Sequence, residues 1–189
     1  TISYVDGTLD ITQQSQSITF DALETKVYGD SPFNLTGRSS SGLPVSYTSN
    51  NPGVAVISGN TVYIIGTGST NITASQNGNL NYSAADDVVH ELVVSKADQI
   101  LTFYLQISGS IPLSEFTDPI QVIAVVNSGL PVTISLGEGS VATLNASNQL
   151  ESIGVTGNVV VNVTQAGNDN YNPASISKSF DVVKANQTI

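Results

Sequence analysis

The segment Ser41-Gly42-Leu43-Pro44-Val45 recurs as Ser128-Gly129-Leu130-Pro131-Val132, and most of the chain recurs with it. Gln76-Asn77-Gly78-Asn79-Leu80-Asn81-Tyr82 returns as Gln165-Ala166-Gly167-Asn168-Asp169-Asn170-Tyr171, and Lys96-Ala97-Asp98-Gln99 as Lys184-Ala185-Asn186-Gln187. The offsets are 87, 89 and 88 residues. Such a period is one whole domain, too long for a solenoid turn. The 189 residues have room for two domains, each large enough to bury a core of its own. The expected division is a terminal hairpin of a preceding repeat at residues 1–15, a first repeat at 16–97, a second at 98–186, and the start of a following repeat at 187–189. The hairpin expectation rests on Asp6-Gly7, a type I′ turn signal between Ile2-Ser3-Tyr4-Val5 and Thr8-Leu9-Asp10-Ile11.

Within each repeat, helical periodicity is missing and two-residue alternation is frequent. Ile72 and Ala74 alternate with Asn71, Thr73 and Ser75, and Val159, Val161 and Val163 with Val160, Asn162 and Thr164. That is the pattern of a half-buried antiparallel strand. In the first repeat, strands are predicted at 17–20, 33–38, 45–49, 54–57, 62–66, 70–76 and 88–95. About seven short strands per repeat, separated by Gly, Asn and Pro turns, predict an all-β fold of tandem immunoglobulin-like β-sandwiches.

The repeated punctuation reads as turns. Ser-Gly-Leu-Pro turns at Gly42 or Gly129 and enters a strand after the proline, which lacks a ladder N–H. Tyr82 and Tyr171 follow Asn-rich loops, the place of a tyrosine corner with a buried ring and a hydroxyl returned to backbone. The copies differ early on. Phe20 to Ser41 spans 21 positions and Phe103 to Ser128 spans 25. Lys26-Val27-Tyr28-Gly29-Asp30 reads as having no counterpart in the second repeat, where the more apolar residues 111–116 stand instead. A loop that differs between copies is where individual binding properties arise, so Tyr28, Asp30, Ile111 and Phe116 are the candidate ligand contacts.

Composition closes off several functions. No cysteine is present, which removes disulfides, thiolate metal sites and cysteine nucleophiles. Five basic against fifteen acidic residues give a net charge of −10, unsuited to nucleic acid or anionic membranes. No apolar run approaches the ~18–20 residues needed to cross a bilayer, and Thr1 opens no signal peptide, so export information is expected outside these residues. The single histidine, His90, aligns with Lys178 and reads as a strand-end surface site, not a catalytic base. Calcium is the metal the acidic side chains would suit, with Asp98, Asp86 and Asp87 as weak candidates, but no segment has the alternating Asp/Asn spacing of a calcium loop. No other cofactor is expected.

Taken together, Ser17-Ile18-Thr19-Phe20, Tyr28-Gly29-Asp30, Ser41-Gly42-Leu43-Pro44, Asn50-Asn51-Pro52, Ile72-Thr73-Ala74-Ser75-Gln76, Asn79-Leu80-Asn81-Tyr82 and Lys96-Ala97-Asp98-Gln99 resemble the MBG-type bacterial immunoglobulin-like repeats. The resemblance covers essentially the whole chain. It implies a location in very large secreted or surface-anchored bacterial proteins, adhesins among them, and it implies no catalytic residues and no ligand. The expectation is a monomeric, non-enzymatic spacer or stalk whose partners are neighbouring repeats of the same chain. The alternative is a binding module that touches a glycan, a polysaccharide or a host protein through its loops.

Overall fold

The structure, a computed structural model, describes Gly7, residues 11–107 and residues 109–185. The expected opening hairpin, apart from Gly7 and Ile11, and the expected start of a following repeat lie outside the described residues. The chain divides into two compact units, Thr1–Ser95 and Lys96–Ile189. This boundary places Lys96 and Ala97 in the second unit, two residues before the expected start at 98. Every regular element among the described residues is a β-strand.

The first unit contains β1 (Ile18–Thr19), β2 (Lys26–Val27), β3 (Phe33–Asn34), β4 (Arg38–Ser39), β5 (Ser46–Ser49), β6 (Ala55–Ser58), β7 (Thr61–Ile64), β8 (Gly68–Ser75) and β9 (Val88–Ser95). One sheet has the order β2-β9-β8-β5, and the other side is formed by β3-β7-β6 and the β1-β4 pair. The second unit contains β10 (Leu101–Leu105), β11 (Ser110–Pro112), β12 (Ile120–Val126), β13 (Thr133–Leu136), β14 (Ala142–Leu144), β15 (Gln149–Ser152), β16 (Gly157–Gln165) and β17 (Ala174–Val183). Its sheets are β11-β17-β16-β13 and β10-β12-β15-β14. Here β12 runs unbroken where Leu35, Thr36 and Gly37 separate β3 from β4. The first, second, fifth and fourth antiparallel strands form one layer, and the third, sixth and seventh the other. Each unit is therefore an immunoglobulin-like β-sandwich.

Alternation places the core. Along β8, Thr70, Ile72 and Ala74 are buried, and along β16, Val159, Val161 and Val163 are buried. They meet Phe20, Leu35, Val62, Leu92 and Val94 in the first unit, and Phe103, Val122, Leu150, Phe180 and Val182 in the second. Burying a side chain of this size contributes about 1.5–3 kcal/mol, so two separate apolar centres let each unit hold together by itself.

One part of the sequence reading is corrected. The segment at Lys26 does have a counterpart. β2 runs parallel to β9, with Lys26 opposite Val94, and β11 runs parallel to β17, with Ile111 opposite the equivalent Val182. Tyr28 N–H then donates to the Ser95 carbonyl at 2.9 Å, as Leu113 N–H does to the Val183 carbonyl at 2.8 Å. Asp30 N–H returns to the Val27 carbonyl at 3.0 Å and Glu115 N–H to that of Pro112 at 2.9 Å. Leu-Ser-Glu thus makes the turn that Tyr-Gly-Asp makes. The four additional residues are split, two on each side of this short parallel strand, between Phe103 and Ile111 and between Leu113 and Val122.

Candidate functional site: a glutamine lock under each leading strap

The motifs that repeat most faithfully come together in space. Gln13-Gln14-Ser15-Gln16 leads into the first sandwich and Lys96-Ala97-Asp98-Gln99 into the second. Each forms a strap along the Asn-rich loop that follows β8 or β16. Gln14 N–H donates to the Asn81 carbonyl at 2.8 Å, and Ser83 N–H donates to the Gln14 carbonyl at 3.0 Å. Ala97 does the same with Asn170, at 3.0 Å, and Asn172, at 2.9 Å. These are isolated parallel bridges, Gln14 to Tyr82 and Ala97 to Tyr171. Ahead of each bridge a long side chain reaches the start of the loop. Gln13 Nε2 donates to the Asn79 carbonyl at 2.6 Å, and Lys96 Nζ to the Asn168 carbonyl at 2.7 Å.

The last strap residue is the hub. Gln16 Nε2 donates to Gln76 Oε1 and to the Ser83 carbonyl, both at 2.6 Å, and its Oε1 accepts from the Ser41 hydroxyl at 2.5 Å. In the second unit, Gln99 Nε2 donates to Gln165 Oε1 at 2.5 Å and to the Asn172 carbonyl at 2.6 Å, and Ser128 donates to Gln99 Oε1. Gln76 is 8% exposed and Gln165 6%, so both must have partners. Each also accepts from the N–H two residues on, that of Gly78 or Gly167. At those two positions φ is +74° and +75°, and an added β-carbon would lie 2.4 Å from the Tyr82 carbonyl oxygen or 2.5 Å from that of Tyr171. Only glycine fits there. Ser-Gly-Leu-Pro, the Gln-x-Gly-Asn loop and Lys-Ala-x-Gln are thus parts of one device.

Tyr82 and Tyr171 are half-buried. Their backbone is what the loop uses. Tyr82 N–H donates to Asn79 Oδ1 at 3.0 Å and Tyr171 N–H to Asn168 Oδ1 at 2.9 Å. A hydroxyl returned to backbone is seen at Tyr47, which donates to the Gly37 carbonyl at 3.1 Å while its ring packs 5.6 Å from Phe20. Burial raises the Tyr47 pKa above its ordinary 10.0.

His90 is not at a strand end. It lies within β9, and its Nε2 donates to the Phe20 carbonyl at 2.8 Å with the rings 5.2 Å apart. Lys178, its counterpart on β17, donates Nζ to the Phe103 carbonyl at 2.7 Å and covers the Phe103 ring at 4.8 Å. Both side chains donate to a main-chain oxygen of the first strand region of their unit, just past β1 at Phe20 and within β10 at Phe103.

The candidate ligand contacts are scattered in depth. Phe116 is 2% exposed and packs edge-on against Phe180 at 6.1 Å, so it belongs to the core and presents no surface to a ligand. Ile111 and Tyr28 are half-buried against their cores. Asp30 is exposed, and its Oδ2 accepts from Val27 N–H at 2.9 Å. Asp86 and Asp87 are exposed, and Asp98 accepts from Asn172 Nδ2 at 2.8 Å. No group of three or more His, Cys, Asp or Glu among the described residues is placed to hold a metal ion.

No family model matches this sequence, and no curated protein does. Solved structures do. The chain is similar to the D00-D0 domain of intimin at 17% identity, over 89% of this chain and 100% of that one, with a TM-score of 0.35. It is similar to the S-layer protein rSbsC at 14% identity, over 96% of this chain and 30% of that one, with a TM-score of 0.38. Drosophila N-cadherin EC1-4 matches at 15% identity, over 89% of this chain, with a TM-score of 0.34, and the chain spans 51% of its length. The fold assignment rests on the sheet topology described above.

Proposed function

We propose that this chain is a non-enzymatic tandem segment of a large bacterial surface or secreted protein, of the MBG-type adhesin-like kind, and acts there as a stiff extracellular spacer. The observation that carries the reading is the parallel pairing of an early strand with the last strand in both units, β2 with β9 and β11 with β17. Pull a unit by its two ends and these bonds are loaded along the strands together, in shear, instead of opening one at a time. The strap adds a second latch at the entry to each unit.

Single-molecule pulling on the whole chain tests this. Two discrete unfolding steps are expected, each releasing roughly 300 Å of chain at ~3.3–3.6 Å per residue. A gradual, stepless extension would remove the spacer reading.

A second reading has one specific observation behind it. Tyr104 and Ile123 form a cross-strand pair on the outer face of β10 and β12, next to Val125, and the three are 62%, 54% and 53% exposed. The equivalent positions in the first unit are Asp21, Thr36 and Arg38. An exposed apolar cluster confined to one copy is what a binding module would carry. Binding of the chain to immobilised glycans or polysaccharides that disappears in Tyr104→Ser would establish it, and absence of saturable binding would discard it.

A further inference from the structure

We propose that the groove holding each strap is a receptor for a tetrapeptide of pattern long donor–any–any–Gln, and that residues 184–187 of a second copy occupy the first unit's groove when its own strap is released. The claim stands independently of the spacer reading.

Two unlike tetrapeptides already make the same bonds in two grooves. Gln-Gln-Ser-Gln and Lys-Ala-Asp-Gln share only their last residue, yet each forms one parallel bridge, one long-side-chain bond to the first loop carbonyl, and the Gln hub. The groove therefore reads three features. It needs a flexible donor at the first position, since both an amide and an ammonium reach the Asn79 or Asn168 carbonyl. It needs a free main-chain N–H and C=O at the second, so proline is excluded there. It needs a primary amide at the fourth, because Gln76 and Ser41, or Gln165 and Ser128, present one acceptor and one donor to it.

Lys184-Ala185-Asn186-Gln187 carries all three features in its sequence, and the two described grooves hold Gln14 and Ala97. Its only difference in sequence from the second strap is Asn for Asp at the third position, where the strap's Asp98 accepts from Asn172. The recognition is main-chain pairing on an exposed edge, with side chains providing selectivity. An attached strap has an effective concentration of millimolar order, so a separate segment competes only when the attached one is disabled. The join is head to tail, which makes open chains unless the rotation closes.

The test uses the full chain with its first strap disabled by Gln13→Ala, Gln14→Pro and Gln16→Ala. Sedimentation velocity across a concentration series is expected to show the parent as a monomer and the variant associating. Adding Gln187→Ala should return the variant to a monomer. A peptide Lys-Ala-Asn-Gln-Thr-Ile should shift the amide resonances of Asn81, Tyr82 and Ser83, about tenfold more weakly when its Gln is replaced by Ala. A variant that stays monomeric, with those amides unmoved by millimolar peptide, overturns the proposal. If the triple variant unfolds its first unit, Gln14→Pro with Gln16→Ala, which removes the bridge and the hub but keeps Gln13, replaces it, and the peptide must raise that unit's melting temperature. No rise overturns the proposal equally.

Discussion

Tyr47 rests its hydroxyl 3.1 Å from the carbonyl oxygen of Gly37, and a β-carbon at position 37 would come within 2.7 Å of that hydroxyl. The two residues therefore choose each other. Register places Ile134 where Tyr47 stands and Ala124 where Gly37 stands, so the second unit pairs a shorter side chain with a larger neighbour. We expect Gly37→Ala to destabilise the first unit by about 1–2 kcal/mol through overpacking and loss of the bond. Combined with Tyr47→Ile, it should cost less than the two changes summed. Chemical denaturation of the four chains of this double-mutant cycle measures the coupling.

The same tyrosine makes the two units respond differently to alkali. Burial disfavours the phenolate, so the folded chain holds the Tyr47 proton above the ordinary value of 10.0. An unfolded tyrosine ionises near pH 10. The folded state thus binds more protons in that range, and the stability contribution is full below pH 10 and lost as pH rises through the folded value. Urea melts at pH 8 and pH 11 should show the first unit losing stability, with the effect reduced in Tyr47→Phe.

Two glycines with similar backbone angles should behave very differently. Gly78 (φ +74°) faces the Tyr82 carbonyl oxygen at 2.4 Å from a would-be β-carbon, whereas Gly29 (φ +91°) has nothing within 4 Å. Gly29→Ala should cost only the left-handed backbone, about 1–2 kcal/mol. Gly78→Ala must also displace main chain and break the lock, and about 3 kcal/mol or more is expected. Thermal melts of the two variants compare them directly.

His90 and Lys178 do the same task, donating to the carbonyls of Phe20 and Phe103. His90→Lys should therefore change stability by no more than about 0.5 kcal/mol. His90→Leu leaves a carbonyl without its donor and should cost about 1–3 kcal/mol. Denaturation midpoints of the two variants at neutral pH separate these outcomes.

Long alternating segments were legible in the sequence. The strand predicted at 88–95 is β9, residue for residue, and β8 falls within two residues of its expected start. Short strands held by position were not. β2 is two residues long and pairs in parallel with a strand more than sixty residues away, so it leaves no alternation to read. Phe116 was misplaced because an aromatic in an inserted segment looks like loop surface until Phe180 is seen against it. The lock was hidden differently. Ser-Gly-Leu-Pro and the Asn-rich loop each had a sufficient local explanation as a turn, and side-chain bonds over 60 or more residues, as between Gln16 and Gln76, have no periodic signature.

The strap also bears on how such a chain can be copied. Residues that complete the second sandwich begin at Lys96, directly after the last strand of the first. A gene duplication whose breakpoint falls between Ser95 and Lys96 transmits a sandwich with its latch. One whose breakpoint falls a few codons later transmits a sandwich without it, dependent on whatever precedes it for a suitable glutamine. A copy that keeps its lock therefore keeps the glutamine that ends its strap, Gln16 or Gln99, while the segments that differ in length between the copies lie well inside the unit, between Phe103 and Ile111 and between Leu113 and Val122.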